Sequence, residues 1–332
     1  MTRYVLGRVV AAVAVLWAAV TVSFVVLYLL PSDPVSVMLD NASAGQTVDP
    51  AQAAALRAQY GFDRGPVEQY LSQLGHTVTG DLGTSLTSGA PVRTLIAQAF
   101  PQTAALAAFA LVLAVAVGGG TAVLASWTRS SRLRGLLLAL PPLGVAVPGF
   151  WVGLLLLQLF SFRWYWFPAV GNDGFASLVL PAVTLAIPGA ATVAQVLSQG
   201  LGAAWRSPYV ETAFAKGASR GRVLGRHVLR NAVLPVLTVL GVLVGQLLAG
   251  SVVAETVFSR QGFGRLVEQA VTTQDIPVVQ GLVVVAAAVF VVVNLAVDLA
   301  YPLLDPRIDL TGVLRPRRAP AARRTTALGR AA

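Results

Sequence analysis

The sequence contains no cysteine, only two histidines (His76 and His227) and a single lysine, Lys216. Without cysteine the chain has no disulfides, no thiolate catalysis and no cysteine-ligated metal sites. The two histidines are too far apart for an HExxH-type metal motif. Because Gly217 rather than Ser or Thr follows Lys216, the GxxxxGK[ST] phosphate-binding loop is excluded as well. We therefore expect no catalytic residue, no metal site and no bound cofactor on this chain.

Charge is also scarce. Charged residues make up 11% of the chain and hydrophobic residues 56%, with a mean hydropathy of +0.72, whereas about a quarter of a soluble domain is charged. The net charge of +10 could suggest nucleic-acid binding. The basic residues, however, lie in short segments between apolar blocks, which is typical of a membrane protein and argues against nucleic acid. The composition predicts an all-α membrane protein.

Six apolar blocks are each long enough to cross about 30 Å of hydrocarbon. They run approximately from Val9 to Leu30, Thr103 to Trp127, Leu136 to Phe160, Leu178 to Val196, Ala232 to Val257 and Val278 to Leu304. A cleaved signal peptide is the alternative for the first block, but its apolar stretch exceeds the roughly 7–15 residues typical of such peptides. We therefore expect a polytopic bundle of six transmembrane helices. The Gly118-Gly119-Gly120 run predicts close helix packing, with a hinge as the alternative.

The distribution of basic residues predicts the orientation. A cytoplasmic N-terminus places 18 of the 24 basic residues on the cytoplasmic side and 6 outside, so the positive-inside rule favours two cytoplasmic termini. We expect an N-terminal span (1–30), an external segment (31–101), a core of five spans (102–306) with a cytoplasmic loop (205–231), and a basic, disordered tail (307–332) close to lipid headgroups.

Two surface helices are predicted in the external segment. Asp49 and Pro50 form an N-cap and first-turn pair before an Ala-rich run to Tyr60. Pro66 begins a second amphipathic stretch that continues through Leu74.

The loop between the fourth and fifth spans is the most informative segment. Small residues Ala213, Ala215 and Gly217 surround Phe214 there. They predict a short helix that ends or bends at a glycine and packs closely in the groove of another protein. A basic loop that only sets the topology is the alternative.

This loop resembles the signature of ATP-binding-cassette (ABC) importer permeases, which reads EAA, three residues, then G. Glu211, Ala213 and Gly217 match it, with Thr212 in the middle position, and Leu234-Pro235 matches the downstream Leu-Pro element. The wider loop is similar to the dipeptide, oligopeptide and nickel branch, from which Pro208, Glu211 and Phe214 depart. The resemblance implies an ATPase-coupling loop formed by Tyr209, Glu211, Thr212, Ala213, Phe214, Lys216 and Gly217.

Further stretches resemble the same branch, in the same order, over approximately residues 1 to 310. They are Leu29–Pro34, Tyr60–Asp63, Gly80–Ser85, Glu255–Phe258 with Gly262 and Gly264, Asp275–Gly281, Asp298–Tyr301 and Leu304–Arg307. Their joint occurrence makes coincidence a poor explanation.

Two acidic residues, Glu255 and Asp298, lie at or inside predicted spans, where an unpaired charge costs several kcal/mol. One interpretation places Glu255 near an outer gate and Asp298 on the inner wall of a pathway. The other leaves Glu255 at the headgroup level and pairs Asp298 with a juxtamembrane arginine. The outer-mouth candidates are Glu255, Phe258, Gly262 and Gly264, and the pathway candidates are Gln158, Gln246, Asn294 and Asp298.

The resemblance implies a permease subunit of an ATP-driven importer of short peptides, with nickel or a metal chelate as the alternative cargo. Its implied partners are a second similar permease, two cytoplasmic subunits that bind ATP and Mg²⁺, an external solute-binding lipoprotein and membrane lipid. A self-sufficient secondary transporter or channel is a further alternative, although the hydropathy pattern shows no inverted repeat. An intramembrane enzyme would lack a nucleophile and base pair within the spans.

Overall fold

The structure is a computed structural model that describes residues 2–28 and 63–304, together with a few positions between 51 and 58. The predicted helix near Asp49–Tyr60 lies mostly outside the described residues, and the predicted basic tail 307–332 lies entirely outside them.

Helices account for most of the described chain. In chain order they are α1 (Thr2–Tyr28), α2 (Pro66–Thr79), α3 (Val92–Trp127), α4 (Ser131–Ala146), α5 (Gly149–Leu156), α6 (Ala176–Trp205), α7 (Pro208–Ala215), α8 (Arg220–Val223), α9 (Leu229–Ala232), α10 (Leu234–Val257), α11 (Phe263–Thr272) and α12 (Ile276–Leu304). A π-helical segment extends α5 over Leu157–Arg163, and another, Leu224–Val228, joins α8 to α9. Among the described residues the only β pairing is an isolated bridge between Thr84 and Pro91. The expected all-α fold is confirmed.

Five single helices (α1, α3, α6, α10 and α12) are long and apolar enough to cross a membrane. The remaining predicted span is formed by two helices, α4 and α5 with its π-helical extension, which are bent by 101° at a short break. The pair connects the end of the bundle where α3 finishes to the opposite end, where Leu157 and Phe258 pack near the start of α6. It therefore makes one crossing, the sixth of the bundle.

The prediction of a continuous helix from Leu136 to Phe160 is wrong at the break. Val147 is extended (φ −87°, ψ 129°) and precedes Pro148. The proline ring disfavours the helical conformation of the residue before it, which explains why α4 ends there.

The helix ends also differ from the predicted ones, because hydropathy marks the apolar part of a helix rather than its termini. The second span was expected to begin at Thr103, but α3 begins at Val92 and passes through Pro101. Val92 and Ile96 in this extra part are buried with Phe263 and Val278. Packing at the end of the bundle thus extends the helix beyond its apolar block.

The centre of the bundle is the contact between α3 and α6. Alanines dominate it, with Ala107, Ala110 and Ala114 of α3 facing Ala182, Ala186 and Ala190 of α6. A Cβ atom on Gly118 would overlap the carbonyl oxygen of Ala190 and lie 3.0 Å from its carbonyl carbon. Gly118 therefore makes the predicted close approach, which Gly119 and Gly120 do not.

Candidate functional site

One end of the bundle carries α7 and the indole rings of Trp127 and Trp205, and we call it the inner end. The opposite end carries α11 and is called the outer end. Both ends contain functional residues predicted from the sequence.

Helix α7 at the inner end is the short helix predicted from the small residues around Phe214. Pro208 occupies its first turn, where a missing N–H costs nothing. It ends before Gly217, whose φ of 78° places it in the left-handed region. The Gly217 N–H donates to the Phe214 carbonyl and the Ala218 N–H to the Ala213 carbonyl, which closes the helix. The predicted helix that ends at a glycine is confirmed.

One face of α7 is fixed to the bundle. Val210 is buried in a core cluster with Val223 and Val228, and Ala213 packs against the same cluster. The ring of Phe214 stacks on that of Trp205, with centroids 6.4 Å apart and planes 10° from parallel. The helix is therefore seated on the inner end of α6.

Arg220, at the start of α8, connects the segment that follows α7 to α3 and α6. Its guanidinium lies 5.7 Å from the ring centroids of both Trp127 and Trp205, a cation–π geometry. It also donates to the Ser126 carbonyl at 3.2 Å, and the Trp205 indole N–H donates to the Ser126 hydroxyl at 2.7 Å. The inner ends of α3 and α6 and the segment that carries α7 form one tightly bonded unit.

The other face of α7 is open. Glu211, Thr212, Lys216 and Gly217 are exposed, and so is 44% of Phe214. Among the described residues nothing lies within 4 Å of a Cβ added to Gly217, so its left-handed backbone, rather than crowding inside this chain, restricts substitution. Tyr209 is exposed as well, and its hydroxyl accepts a hydrogen bond from the Asn231 side chain at 3.1 Å.

At the outer end, Glu255 is only 1% exposed. Its carboxylate accepts a short hydrogen bond from the Thr103 hydroxyl of α3 and another, at 2.9 Å, from the Arg265 N–H of α11. The Thr103 oxygen in turn accepts from the Phe263 N–H at 2.7 Å. Because a buried carboxylate is tolerated only when it is hydrogen-bonded, Glu255 ties α3, α10 and α11 together.

Gly262 and Gly264 provide the space for this arrangement. A Cβ on Gly262 would lie within 2.5 Å of the Glu255 carboxyl group, and one on Gly264 would lie 2.6 Å from the backbone nitrogen of Val252. Gly262 is extended (φ −158°), so its small size matters rather than its backbone freedom. The left-handed residue of the turn is Ser259, with a φ of 48°.

Phe258 and Arg260 complete the outer cluster. Phe258 is buried against Leu157 and Leu180. Arg260 is only 2% exposed, and its Nη1 donates to the carbonyls of Gly171 and Ser177 at 3.1 and 2.9 Å and to the Ser177 hydroxyl at 2.9 Å. Burial lowers the pKa of Arg260 from its ordinary value, and the nearby Glu255 carboxyl group opposes that shift. The guanidinium fixes the loop before α6 to the turn after α10.

Arg260 was not predicted, because its partners lie more than 80 residues away and nothing in its local sequence marks it. The contact between Ser85 and Asp275 was not predicted either, although both residues lie in stretches that carry the family resemblance. Asp275 is buried and accepts from the Ser85 hydroxyl at 2.5 Å and from the N–H groups of Leu86 and Thr87 at 3.1 and 3.2 Å. This carboxylate holds the loop before α3 on the first turn of α12.

The four pathway candidates are dispersed rather than clustered. Asp298 forms an ion pair with Arg8 at 2.9 Å, which is the pairing interpretation of that residue. Asn294, one turn earlier on α12, donates to the Phe290 carbonyl and lies against Gly241 of α10. Gln246 on α10 and Gln158 on the π-helical extension of α5 are exposed.

Comparison with known proteins identifies the family of the chain. Residues 118–310 match the family described as "Binding-protein-dependent transport system inner membrane component", and residues 1–107 match the corresponding N-terminal family. The chain belongs to this family. It is a multi-pass membrane component of a binding-protein-dependent transport system, which removes the alternative of a self-sufficient secondary transporter.

Several members of this family are similar to the chain over nearly its whole length. A probable peptide ABC transporter permease of Sinorhizobium fredii is 34% identical, covering 93% of this chain and 99% of the relative. A putative peptide permease of Brucella suis is 37% identical over 94% and 100%. The dipeptide transport system permease DppB of Alkalihalophilus pseudofirmus is 31% identical over 93% and 99%. The resemblance to ABC importer permeases is confirmed.

A solved structure shows the same fold. The MetNI methionine ABC transporter, in an inward-facing conformation, matches with a TM-score of 0.55 at 16% identity, covering 64% of this chain and 96% of that one. This supports the permease-type helical bundle.

Proposed function

We propose that the chain is one of two permease subunits of an ABC importer for short peptides. The names of the three relatives above support the cargo, since they refer to peptide or dipeptide transport. Dependence on a binding protein, which the family description states, supports import. The partners are a second similar permease, two cytoplasmic subunits that bind and hydrolyse ATP with Mg²⁺, and an external solute-binding lipoprotein. This chain itself carries no cofactor.

The observation that carries the proposal is the close packing of α7 against the bundle. We call α7 the coupling helix. Its open face offers Glu211 and the exposed part of Phe214 to a partner, while Val210 and the stacking of Phe214 on Trp205 fix its other face to the bundle. Arg220 binds the segment that follows α7 to the inner ends of α3 and α6. When the ATP-binding subunits close, they displace this helix. Because it is stacked on the bundle, the displacement reaches α3 and α6 without being lost in a flexible loop, and the bundle changes between outward and inward openings.

The exposed amides of Gln158 and Gln246 support a pathway shared between two subunits. Polar side chains on spanning helices are unfavourable against lipid and are found facing other helices or water. A second permease that covers these two side chains would shield them from lipid and enclose a polar passage. One chain then supplies half of the pathway.

The basic residues support cytoplasmic N- and C-termini. The inner end carries Arg8, Arg220 and the coupling helix, whereas Glu255 and the loop before α3 lie at the outer end. With the 18 to 6 asymmetry of the whole sequence, the inner end faces the cytoplasm.

The test is to measure peptide uptake and ATP hydrolysis together, in proteoliposomes that contain the complete transporter. We expect Gly217→Trp to reduce both uptake and peptide-stimulated hydrolysis, because a large side chain is added where the ATP-binding subunit packs, and overpacking costs about 1–3 kcal/mol. Glu211→Ala, which removes an exposed carboxylate from the same face, should weaken coupling in the same direction.

Gly89→Trp is the matched control. Gly89 also has a positive φ (68°) and open space around an added Cβ among the described residues, but it lies at the outer end. It should impose the same backbone strain and leave the ATP-binding subunits bound during purification. Parental uptake by both Gly217→Trp and Glu211→Ala would contradict the proposal.

A further inference from the structure

Helix α2 has an apolar stripe along one side. Val67, Leu71, Leu74 and Val78 recur at intervals of four, three and four residues, so they share one face of the helix. The opposite face carries polar side chains: Glu68, Gln69, Ser72, His76 and Thr79. The helix is therefore amphipathic.

The bundle does not cover this stripe. Within α2, which is described throughout, no side chain is buried. Val67, Leu71 and Val78 are 72%, 59% and 82% exposed. Leu74, the remaining member of the stripe, is partly buried. Exposed apolar residues aligned on one face mark a surface that contacts a membrane or another molecule.

The contact of α2 with α1 shows how deep α2 lies relative to the membrane-spanning part of α1. The Tyr70 hydroxyl lies 2.8 Å from the Thr21 hydroxyl, and its ring packs edge-on against Phe24 with centroids 5.4 Å apart. The apolar stretch of α1 runs from Leu6 to Leu27, which is about 33 Å and so matches the hydrocarbon thickness. Thr21 lies six residues, or about 9 Å, below its outer end.

A second contact with the bundle, which like the Tyr70 contact anchors α2, lies at a similar depth. Just after α2, the Leu82 side chain lies 3.6 Å from the position of a Cβ on Gly281. Gly281 is five residues, or about 7.5 Å, below the outer end of α12, which begins at Ile276. With both anchors at similar depths, α2 lies across the outer surface of the bundle at the boundary between acyl chains and headgroups.

We propose that α2 is an interfacial helix of the outer leaflet, with the stripe from Val67 to Val78 inserted against the acyl chains. Lipid is the occupant because α2 packs beside Thr21 and Phe24 of α1, and the neighbouring Val22, Val25 and Val26 are exposed on a helix long enough to span the bilayer. Tyr70, next to the stripe, has the apolar ring and polar tip typical of residues at a membrane interface. Interfacial helices bury their apolar face about 5–10 Å into this boundary, which matches both anchors.

The absence of cysteine allows a direct test with single-cysteine variants of the full chain. Leu71→Cys and Val78→Cys place a fluorescent thiol label on the stripe, and His76→Cys places it on the exposed polar face. The labelled chains are reconstituted in vesicles of phosphatidylethanolamine and phosphatidylglycerol, either unmodified or brominated on the acyl chains near the carboxyl end. Aqueous iodide serves as the opposing quencher.

We expect brominated lipid to quench the labels at Leu71 and Val78 several-fold more than the label at His76, with the reverse order for iodide. Equal quenching of all three sites by iodide, with none by bromine, would overturn the proposal. It would also be overturned if the stripe became shielded from iodide only after addition of the purified external binding protein, without bromine quenching. That result would assign the stripe to a protein partner.

Discussion

Replacement of Gly118 by alanine should separate α3 from α6. The added Cβ would overlap the carbonyl oxygen of Ala190 and lie 3.0 Å from two further backbone atoms of that residue, where ordinary contacts begin at 3.4 Å. These atoms belong to a helix backbone and cannot rotate away, as the end of a flexible side chain could. The helices must therefore move apart along a contact made of small residues.

The neighbouring glycine provides the reference state. Gly120 has nothing within 4 Å of an added Cβ among the described residues, so Gly120→Ala changes only the helix propensity, a gain of roughly 0.5–1 kcal/mol. Gly118→Ala gains the same propensity and incurs an overpacking cost of about 1–3 kcal/mol. The difference between the two variants isolates the steric cost, and we expect Gly118→Ala to be less stable by about 1–3 kcal/mol.

The assay is reversible unfolding by sodium dodecyl sulfate in mixed micelles, followed by the fluorescence of the six tryptophans. Gly119→Ala, whose added Cβ would make an ordinary contact with Leu197 at 3.9 Å, should resemble Gly120→Ala. If Gly118→Ala unfolds at the same detergent fraction as Gly120→Ala, the close crossing of α3 and α6 is refuted.

Two further predictions concern the outer end and the orientation. Gly262→Ala should displace the Glu255 carboxylate from its donors, including Thr103. The thermal unfolding midpoint should fall, since a hydrogen bond to a charged group contributes about 1.5–3 kcal/mol. An unchanged midpoint would argue against the role of Glu255 in linking α3, α10 and α11. In sealed cells, an impermeant thiol reagent added outside should label Ser88→Cys but not Ser219→Cys. Comparable labelling of both sites would contradict the proposed orientation.

The sequence was sufficient for the features that depend on local composition. The six crossings follow from apolar length, and the end of the coupling helix follows from Gly217, because glycine adopts the left-handed conformation at little cost. Helix α2 likewise follows from Pro66 and the spacing of its apolar residues, although it continues to Thr79 rather than Leu74.

The features that depend on distant partners were not predictable in this way. Thr103 and Glu255 are 152 residues apart, and Ser85 and Asp275 are 190 residues apart. One sequence indicates that each polar residue needs a partner but not which residue supplies it. The bend at Val147 was missed for a different reason: apolar residues flank Pro148 on both sides, so a reading of apolar length alone hides the break in the backbone.

The Arg8–Asp298 ion pair affects how the first helix behaves when the bundle moves. It joins α1 to α12 near the inner end, while Tyr70 and the loop after α2 connect the same two helices near the outer end. Helices joined near both ends tilt together and cannot slide past each other. Any tilt of α12 during the transport cycle therefore carries α1 with it.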